Sequence, residues 1–236
     1  MERAARTFLN SFSSKLEEPV RTHLKNVYAC LTMSTVAAAV GAYVHMYTEL
    51  LSAGLLTVIA AVGFLFALMS TPDNGKNRQM RIGFLLGFAF FSGLGMGPLL
   101  EMAVAINPQI VVTALLGTSV IFACFSAAAL TAERGRWLYL GGTLMSMLSA
   151  MLLLSLANLL FGSRLIFQVY LYIGLFLMCG FVLYDTQLII EKRRQGDKDF
   201  VAHSVDLFID FIGIFRRLII ILAEKEDRNK RNNKKE

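Results

Sequence analysis

Long apolar runs separated by short polar segments dominate the chain. Six runs reach the length of about 20 residues that a helix needs to cross a bilayer core. A seventh run is apolar in composition but is interrupted by two aspartates and two arginines. In chain order the runs are Val27–Val44, Leu50–Met69, Gly83–Ile106, Ile110–Leu130, Trp137–Phe161, Leu165–Tyr184 and Phe200–Leu222. The pattern predicts an all-α integral membrane protein, a bundle of seven transmembrane helices that occupies residues 26–222.

Composition supports this class. Hydrophobic residues make up 56% of the 236 residues and charged residues only 17%, whereas an ordinary soluble domain is about 25% charged. Only 10 of the 40 charged residues lie between Asn26 and Tyr184, too few to cover that stretch with a solvated surface. A soluble enzyme domain, a disordered chain and a nucleic-acid-binding fold are therefore excluded.

Basic residues alternate between successive polar segments. Five lysines and arginines precede the first run, three lie between the second and third, two between the fourth and fifth, and four between the sixth and seventh. The segments between these hold one basic residue or none. The positive-inside rule therefore places residues 1–25 in the cytoplasm.

The basic C-terminal tail, residues 223–236, breaks this alternation because a seventh full crossing would place it on the far side. Two interpretations fit. The seventh segment is re-entrant and the tail is cytoplasmic, or the segment spans the membrane and the tail is translocated. The basic residues favour the cytoplasmic tail.

The third run contains glycines at a spacing that lets two helix backbones approach closely in lipid. Pro98 removes a backbone donor from the same run and predicts a kink. Glu101 follows near the outer interface, as an interfacial anchor or as a cation-attracting mouth. The glycines expected to pack against a neighbouring helix are Gly83, Gly87, Gly93 and Gly97.

The last two runs carry carboxylates at membrane depth, where an ionisable side chain costs about 2.5–3.5 kcal/mol on insertion scales. Asp185 ends the sixth run, and Asp206 and Asp210 share one face of the seventh, with His203 beside them. Counting helical rise from a turn over Glu191–Asp199 places Asp185 level with Asp206 and within one helical turn of Asp210.

Two carboxyl groups that share a site do not both ionise at low cost, so they titrate as a pair. Such a pair suits a proton sensor, a proton relay or a cation site. The alternative is a structural ion pair with Arg81, Arg216 or Arg217.

Three sequence blocks resemble the Bax inhibitor 1 family of transmembrane Bax-inhibitor-motif proteins. They are Gly-Phe-Leu-Leu-Gly-Phe-Ala-Phe from Gly83 with Gly-Met-Gly-Pro-Leu-Leu-Glu up to Glu101, Cys-Gly-Phe-Val-Leu-Tyr-Asp-Thr-Gln-Leu-Ile-Ile-Glu around Asp185, and Asp-Leu-Phe-Ile-Asp-Phe from Asp206. The resemblance covers nearly the whole chain. It implies seven helices with the seventh near the centre, in the endoplasmic reticulum membrane.

The resemblance also implies a function and its residues. The function is a pH-sensitive calcium leak that suppresses apoptosis, linked to the unfolded protein response. Asp185 and Asp210 correspond to the pH-sensing pair, with Asp206 as a third carboxylate and Arg81 as the counter-charge. Asp206, Asp210 and Glu101 are candidates for attracting cations, and calcium would bind only transiently at the pair, with no cofactor or resident metal.

The implied partners are membrane lipid, calcium, protons, Bcl-2-type proteins and calcium channels of the endoplasmic reticulum, and no nucleic acid. An adaptor that regulates apoptosis through protein partners without conducting ions is the alternative function. An intramembrane aspartyl protease is disfavoured because the Gly-x-Gly motif of such enzymes is missing before Asp210. No other catalytic motif is present, so we expect no enzyme.

Overall fold

The computed structural model describes residues 16–48 and 53–233, which form eight helices and no strand. Residues 1–15, 49–52 and 234–236, including part of the predicted N-terminal segment and the last two lysines, lie outside the described residues. The helices are α1 Glu18–Tyr47, α2 Leu55–Ser70, α3 Arg78–Gly95, α4 Gly97–Ile106, α5 Gln109–Thr131, α6 Leu140–Phe161, α7 Arg164–Arg194 and α8 Phe200–Asn233.

Four of these helices, α1, α5, α6 and α7, are long and apolar enough to cross a membrane. The pair α3 and α4 reaches the same criterion as one span bent by 43°. Helix α2 is apolar but has only 16 residues. Length and composition therefore show a multi-pass helical membrane protein with four or five spans among the described residues, and the count of seven stays a prediction.

The third predicted run is divided into two helices. Helix α3 ends at Gly95 and α4 begins at Gly97, with Pro98 in the first turn of α4. In that position the missing N–H of proline costs nothing, since the first N–H groups of a helix have no partner inside it. The expected kink is therefore a break just before the proline.

Helices α1 and α3 pack backbone against backbone. A Cβ atom added at Gly93 would overlap the carbonyl group of Ala38, and one added at Gly41 would overlap that of Phe90. A Cβ at Gly97 would overlap the ring of His45. Only glycine permits the backbone approach that the spacing predicts at Gly93, and Gly97 at the start of α4 leaves room for the His45 ring.

Two of the predicted glycines lie outside this contact. A Cβ at Gly87 would lie 2.8 Å from the ring of Phe64 in α2, so Gly87 packs against a side chain. A Cβ at Gly83 would have no neighbour within 4 Å, so the close approach expected there is not formed. Gly83 lies in the second turn of α3, on a side of the helix that faces open space.

The hairpin of α7 and α8 differs from the predicted one in its turn. Helix α7 continues through Asp185 to Arg194, and the turn covers residues 195–199, with Gly196 in the left-handed region at φ +105°. Measured from these ends, Asp185 and Asp210 lie about 14 and 15 Å along their helices, and Asp206 about 9 Å. Asp185 is therefore level with Asp210, and the predicted alignment with Asp206 is wrong.

Helix α8 lies at the centre of the bundle, in contact with α1, α3, α4, α5 and α7. Its largest buried side chains are almost fully enclosed by these neighbours: Leu207, Phe208, Ile214 and Ile219. A central position explains how Asp206, Asp210 and Arg217 are covered by other helices, whereas Arg216 is exposed. Burial against other helices removes the need for an apolar surface all round.

The bundle has two distinct ends. At the turn end, defined here by residues 195–199, Arg194 lies 3.4 Å from Glu17, just before α1, and Arg81 of α3 contacts Asp199. At the tail end, defined by residues 224–233, Lys230 donates a hydrogen bond to the carbonyl of Ile106, where α4 ends.

Helix α8 joins these two ends without reversal. Its 34 residues correspond to about 51 Å of helix. Residues 224–233 form the last turns of α8. The re-entrant and the fully spanning interpretations of the seventh segment both stay predictions. The start of α1 lies at the turn end of the bundle, and the end of α8 lies at the tail end.

Candidate functional site

Helices α7 and α8 bring two carboxyl groups together in the middle of their length. The side chains of Asp185 and Asp210 face each other closely enough to interact directly. Asp206, one turn closer to the turn end, interacts electrostatically with both. Asp210 is buried, at 3% exposure, whereas Asp185 and Asp206 are half-buried. We call these three residues the carboxyl cluster.

The contact between Asp185 and Asp210 has a chemical requirement. An ionised carboxylate accepts hydrogen bonds and donates none. Among the described residues no N–H or hydroxyl group donates to Oδ2 of Asp210, which is buried. A hydrogen bond between the two side chains therefore needs a proton on one of them, and full ionisation replaces attraction by repulsion.

Aromatic and aliphatic side chains surround the pair. Phe211 follows Asp210 and makes an edge-to-face contact with Phe122 of α5, at 5.6 Å between ring centroids. Val182 and Leu207 are completely buried on the same two helices. Apolar neighbours of this kind lower the local polarity around the buried Asp210, and charges interact more strongly in such surroundings than in water.

Hydroxyl groups from α1, α5 and α7 meet one another at the centre of the bundle. Tyr28 of α1 shares a hydrogen bond with Ser126 of α5. The Tyr28 hydroxyl also interacts with Thr186, the residue after Asp185. Sequence reasoning missed this group, although a serine within a membrane run is a signal of a polar contact between helices.

Arg81 does not contact the carboxyl cluster. It is 2% exposed and pairs with Asp199 at 2.5 Å and with Asp73 at 3.6 Å, which ties the α2–α3 connection to the turn end. Its place in the first turn of α3 explains this, because the pair lies about 15 Å deeper along α8. The structure thus gives Arg81 different partners from those predicted.

Arg216 and Arg217, the other two arginines of the alternative prediction, do not pair with the carboxyl cluster either. Arg217 donates a hydrogen bond to the carbonyl of Gly213 at 3.0 Å and lies over the ring of Tyr170. Arg216 is exposed. Among the ion pairs of residues 16–48 and 53–233, none joins an arginine to the carboxyl cluster. The predicted structural ion pair is absent from this part of the chain.

Glu101 lies on α4, where the broken span turns toward α1. Its carboxylate is 52% exposed and lies 3.4 Å from Nε2 of His45. An exposed carboxylate with a histidine partner suits an interfacial position, and its attraction for cations stays a prediction.

Two polar side chains of α7, Gln187 and Glu191, hydrogen-bond to the α5–α6 connection near the turn end. Gln187 donates to the carbonyl groups of Ala129 and Glu133 and accepts from the N–H of Trp137, so it fixes the α5–α6 connection on α7. One turn later Glu191 accepts two hydrogen bonds from Arg134, at 2.5 and 3.0 Å. The hydrogen bond to Glu191 raises the pKa of the Arg134 guanidinium.

In the described part of the chain no group of three or more His, Cys, Asp or Glu side chains is arranged to hold a metal ion. The architecture and the site together define a multi-pass helical membrane protein whose central helix carries buried acidic groups.

Comparison with known proteins identifies the family. The family model described as inhibitor of apoptosis-promoting Bax1 matches residues 20–227. Bax inhibitor 1 of Mus musculus is 51% identical and that of Homo sapiens 50% identical, each match covering 94% of this chain and 93% of the relative. The probable Bax inhibitor 1 of Paralichthys olivaceus is 52% identical with the same coverage. The chain belongs to the Bax inhibitor 1 family of anti-apoptotic membrane proteins, as the sequence blocks predicted.

Proposed function

We propose that this protein is a pH-sensitive calcium leak channel of the endoplasmic reticulum membrane that suppresses apoptosis. In this proposal the contact between Asp185 and Asp210 gates the leak. The observation that supports it is the contact itself: two carboxyl groups from neighbouring helices meet in a buried place with no arginine as partner.

The gate has two states that differ by a proton. With one proton shared, the two carboxyl groups hold α7 and α8 together. Without it, two negative charges at about 4 Å repel each other by about 4 kcal/mol at an effective dielectric constant of about 20. Helix α8 contacts five other helices, so a change in its position alters the packing of the whole bundle.

Calcium takes oxygen ligands, and the carboxyl cluster supplies them once it is ionised. A conducting site must bind an ion strongly enough to admit it and weakly enough to release it. Three carboxylates without a metal-holding geometry in this conformation suit such transient binding. Glu101, with its exposed carboxylate, would raise the local concentration of cations.

The test is calcium flux across liposomes that contain the purified protein, measured against pH. In Asp210→Asn the new side-chain amide donates a hydrogen bond to Asp185 at every pH. It therefore replaces the hydrogen bond that needs a shared proton in the wild type. We expect flux without pH dependence, fixed at the wild-type value for the singly protonated pair. Asp206→Asn is the matched control, since it removes one carboxylate from the same helix but leaves the pair, and it should keep the pH dependence.

An unchanged pH profile in Asp210→Asn would contradict the gate. Absence of any flux in the wild type, with cell protection intact, would support the adaptor function in its place. The location in the endoplasmic reticulum and the partners, Bcl-2-type proteins and calcium channels, are further parts of the proposal. Co-purification from cells of the wild type and of Asp210→Asn checks whether any of these contacts depends on the gate.

A further inference from the structure

Two buried histidines meet at the turn end, outside the carboxyl cluster. Nε2 of His23 in α1 lies 2.9 Å from Nδ1 of His203 in α8, and both rings are almost fully buried. One nitrogen donates and the other accepts, so the contact holds one hydrogen between two basic atoms. Nothing in the gate described above uses this pair.

The histidine pair has a connection to water. The second ring nitrogen of His203, Nε2, lies 3.4 Å from Oδ2 of Asp197 in the α7–α8 turn. The Asp197 side chain is 44% exposed, whereas that of His203 is 3% exposed. A proton from water can therefore reach a buried imidazole through one carboxylate.

The pair also has a connection to the interior. His203, Asp206 and Asp210 lie on one face of α8, at about 5, 9 and 15 Å from its start. Asp206 interacts electrostatically with His203 on one side and with Asp185 and Asp210 on the other. Side chains three residues apart on a helix have Cβ atoms about 5–6 Å from each other, a gap that one water molecule bridges.

The other charged groups that face the histidines come from the neighbouring elements. Lys192 and Arg193 of α7 act on them as positive charges, and Asp199 of the turn acts with Asp197 as a negative charge. Asp199 is already bound by Arg81. Asp197 is therefore the exposed carboxylate in contact with an imidazole.

We propose that Asp197, His203 and His23 form the route by which protons enter the carboxyl cluster. Asp197 takes a proton from water and passes it to Nε2 of His203, and the two rings hold the excess proton between them. It then passes to Asp206 and on to the pair, so that one proton moves from water to a carboxylate. The route depends on the proposed function only in that the cluster takes up protons.

The experiment measures proton uptake directly. After a rapid drop in pH, time-resolved infrared spectroscopy of the full chain in detergent follows the C=O band of protonated carboxyl groups. Loss of the band in Asp210→Asn assigns it to the cluster. In His203→Gln, which keeps the polar character of the side chain but carries no proton at these pH values, we expect uptake to slow at least about tenfold with the final amplitude unchanged.

Two further variants separate a relay from a purely structural contact. Asp197→Asn changes a half-exposed residue of the turn, which leaves the fold intact, and it should also slow uptake. Imidazole added to His203→Ala should restore the rate, because a free imidazole can carry the proton but cannot join α1 to α8. His45→Gln is the matched control: the third histidine lies in α1 beside Glu101 and should leave the rate unchanged.

Wild-type uptake kinetics in both His203→Gln and Asp197→Asn would overturn the relay. Absence of any carboxyl band in the wild type would also overturn it, since the cluster would then receive no proton. If proton uptake is slowed in these variants but the calcium flux of the wild type does not depend on pH, the relay is supported and the proposed gate is contradicted. The two proposals therefore fail in distinguishable ways.

Discussion

The helix pairs α1–α3 and α7–α8 are held together by different physics. Between α1 and α3, Gly41 and Gly93 bring two backbones into direct contact. Between α7 and α8, the carboxyl groups of Asp185 and Asp210 face each other. The glycine contact depends on the small volume of the residue and is the same at every pH. The aspartate contact depends on a proton on one of the two carboxyl groups. The comparison suggests a rigid part and a switchable part within one bundle.

The charged groups differ in the same way. At the turn end Arg81 faces Asp73 and Asp199, so opposite charges meet. In the carboxyl cluster three like charges face one another. Opposite charges favour one arrangement, whereas like charges have different arrangements with and without a proton. Changes in the rigid part should therefore alter stability at every pH, and changes in the cluster should alter the response to pH.

The largest expected effect on stability follows from Arg81→Met. Loss of the guanidinium leaves Asp199 and Asp73 partly buried beside an apolar side chain, and removal of one partner from a buried pair costs about 3–5 kcal/mol. Thermal unfolding of the detergent-solubilised protein measures it. Arg78→Met, on the exposed side of the same helix turn, is the control and should cost less than about 1 kcal/mol, the value of its contact with Phe200. Equal losses of unfolding free energy in the two variants would show that the buried ion pairs of Arg81 add nothing to stability.

Much of the rigid part can be predicted from the sequence, because apolar length and glycine spacing are local properties. The runs at Ile110–Leu130 and Trp137–Phe161 correspond to α5 and α6 with shifts of a few residues. Partners that lie far apart in the sequence cannot be predicted in this way. Arg81 and Asp199 are an example, since no spacing rule connects a residue of α3 to the α7–α8 turn.

The ends of the polar helices were the main source of error. The charges of Glu191–Arg194 resemble a turn, yet they form the last turn of α7, where basic side chains interact favourably with the helix dipole. The four-residue shift moved the predicted partner of Asp185 from Asp210 to Asp206. The polar residues after Glu224 continue α8 as a helix, because glutamate, lysine and arginine are good helix formers.

A smaller effect is expected at the contact between α1 and α3. In Gly93→Ala the new methyl group overlaps the backbone of Ala38, and the helices must separate, at a cost of about 1–3 kcal/mol at every pH. Gly83→Ala is the matched control on the same helix, where the methyl group meets open space and should stabilise α3 by about 0.5–1 kcal/mol. Opposite signs in thermal unfolding support the comparison, and a loss in both variants contradicts it.

The smallest effect tests the connection between the two parts. Tyr28→Phe removes the hydrogen bond that joins α1 to Ser126 of α5, and we expect a loss of about 1 kcal/mol. The pH dependence of calcium flux should stay, because the carboxyl groups are unchanged. Tyr43→Phe, an exposed tyrosine of the same helix, should change the unfolding free energy by less than about 0.5 kcal/mol. Loss of the pH response in Tyr28→Phe would place this hydroxyl within the switch.

One measurement tests most directly whether Asp185 and Asp210 share a proton: an equilibrium infrared titration of the carboxyl C=O band in the wild type, in Asp185→Asn and in Asp210→Asn. If the two groups titrate as one unit, either single substitution removes the same wild-type transition. If each variant instead keeps an unchanged transition of the remaining aspartate, the two groups are independent and the proton-dependent contact between α7 and α8 is refuted.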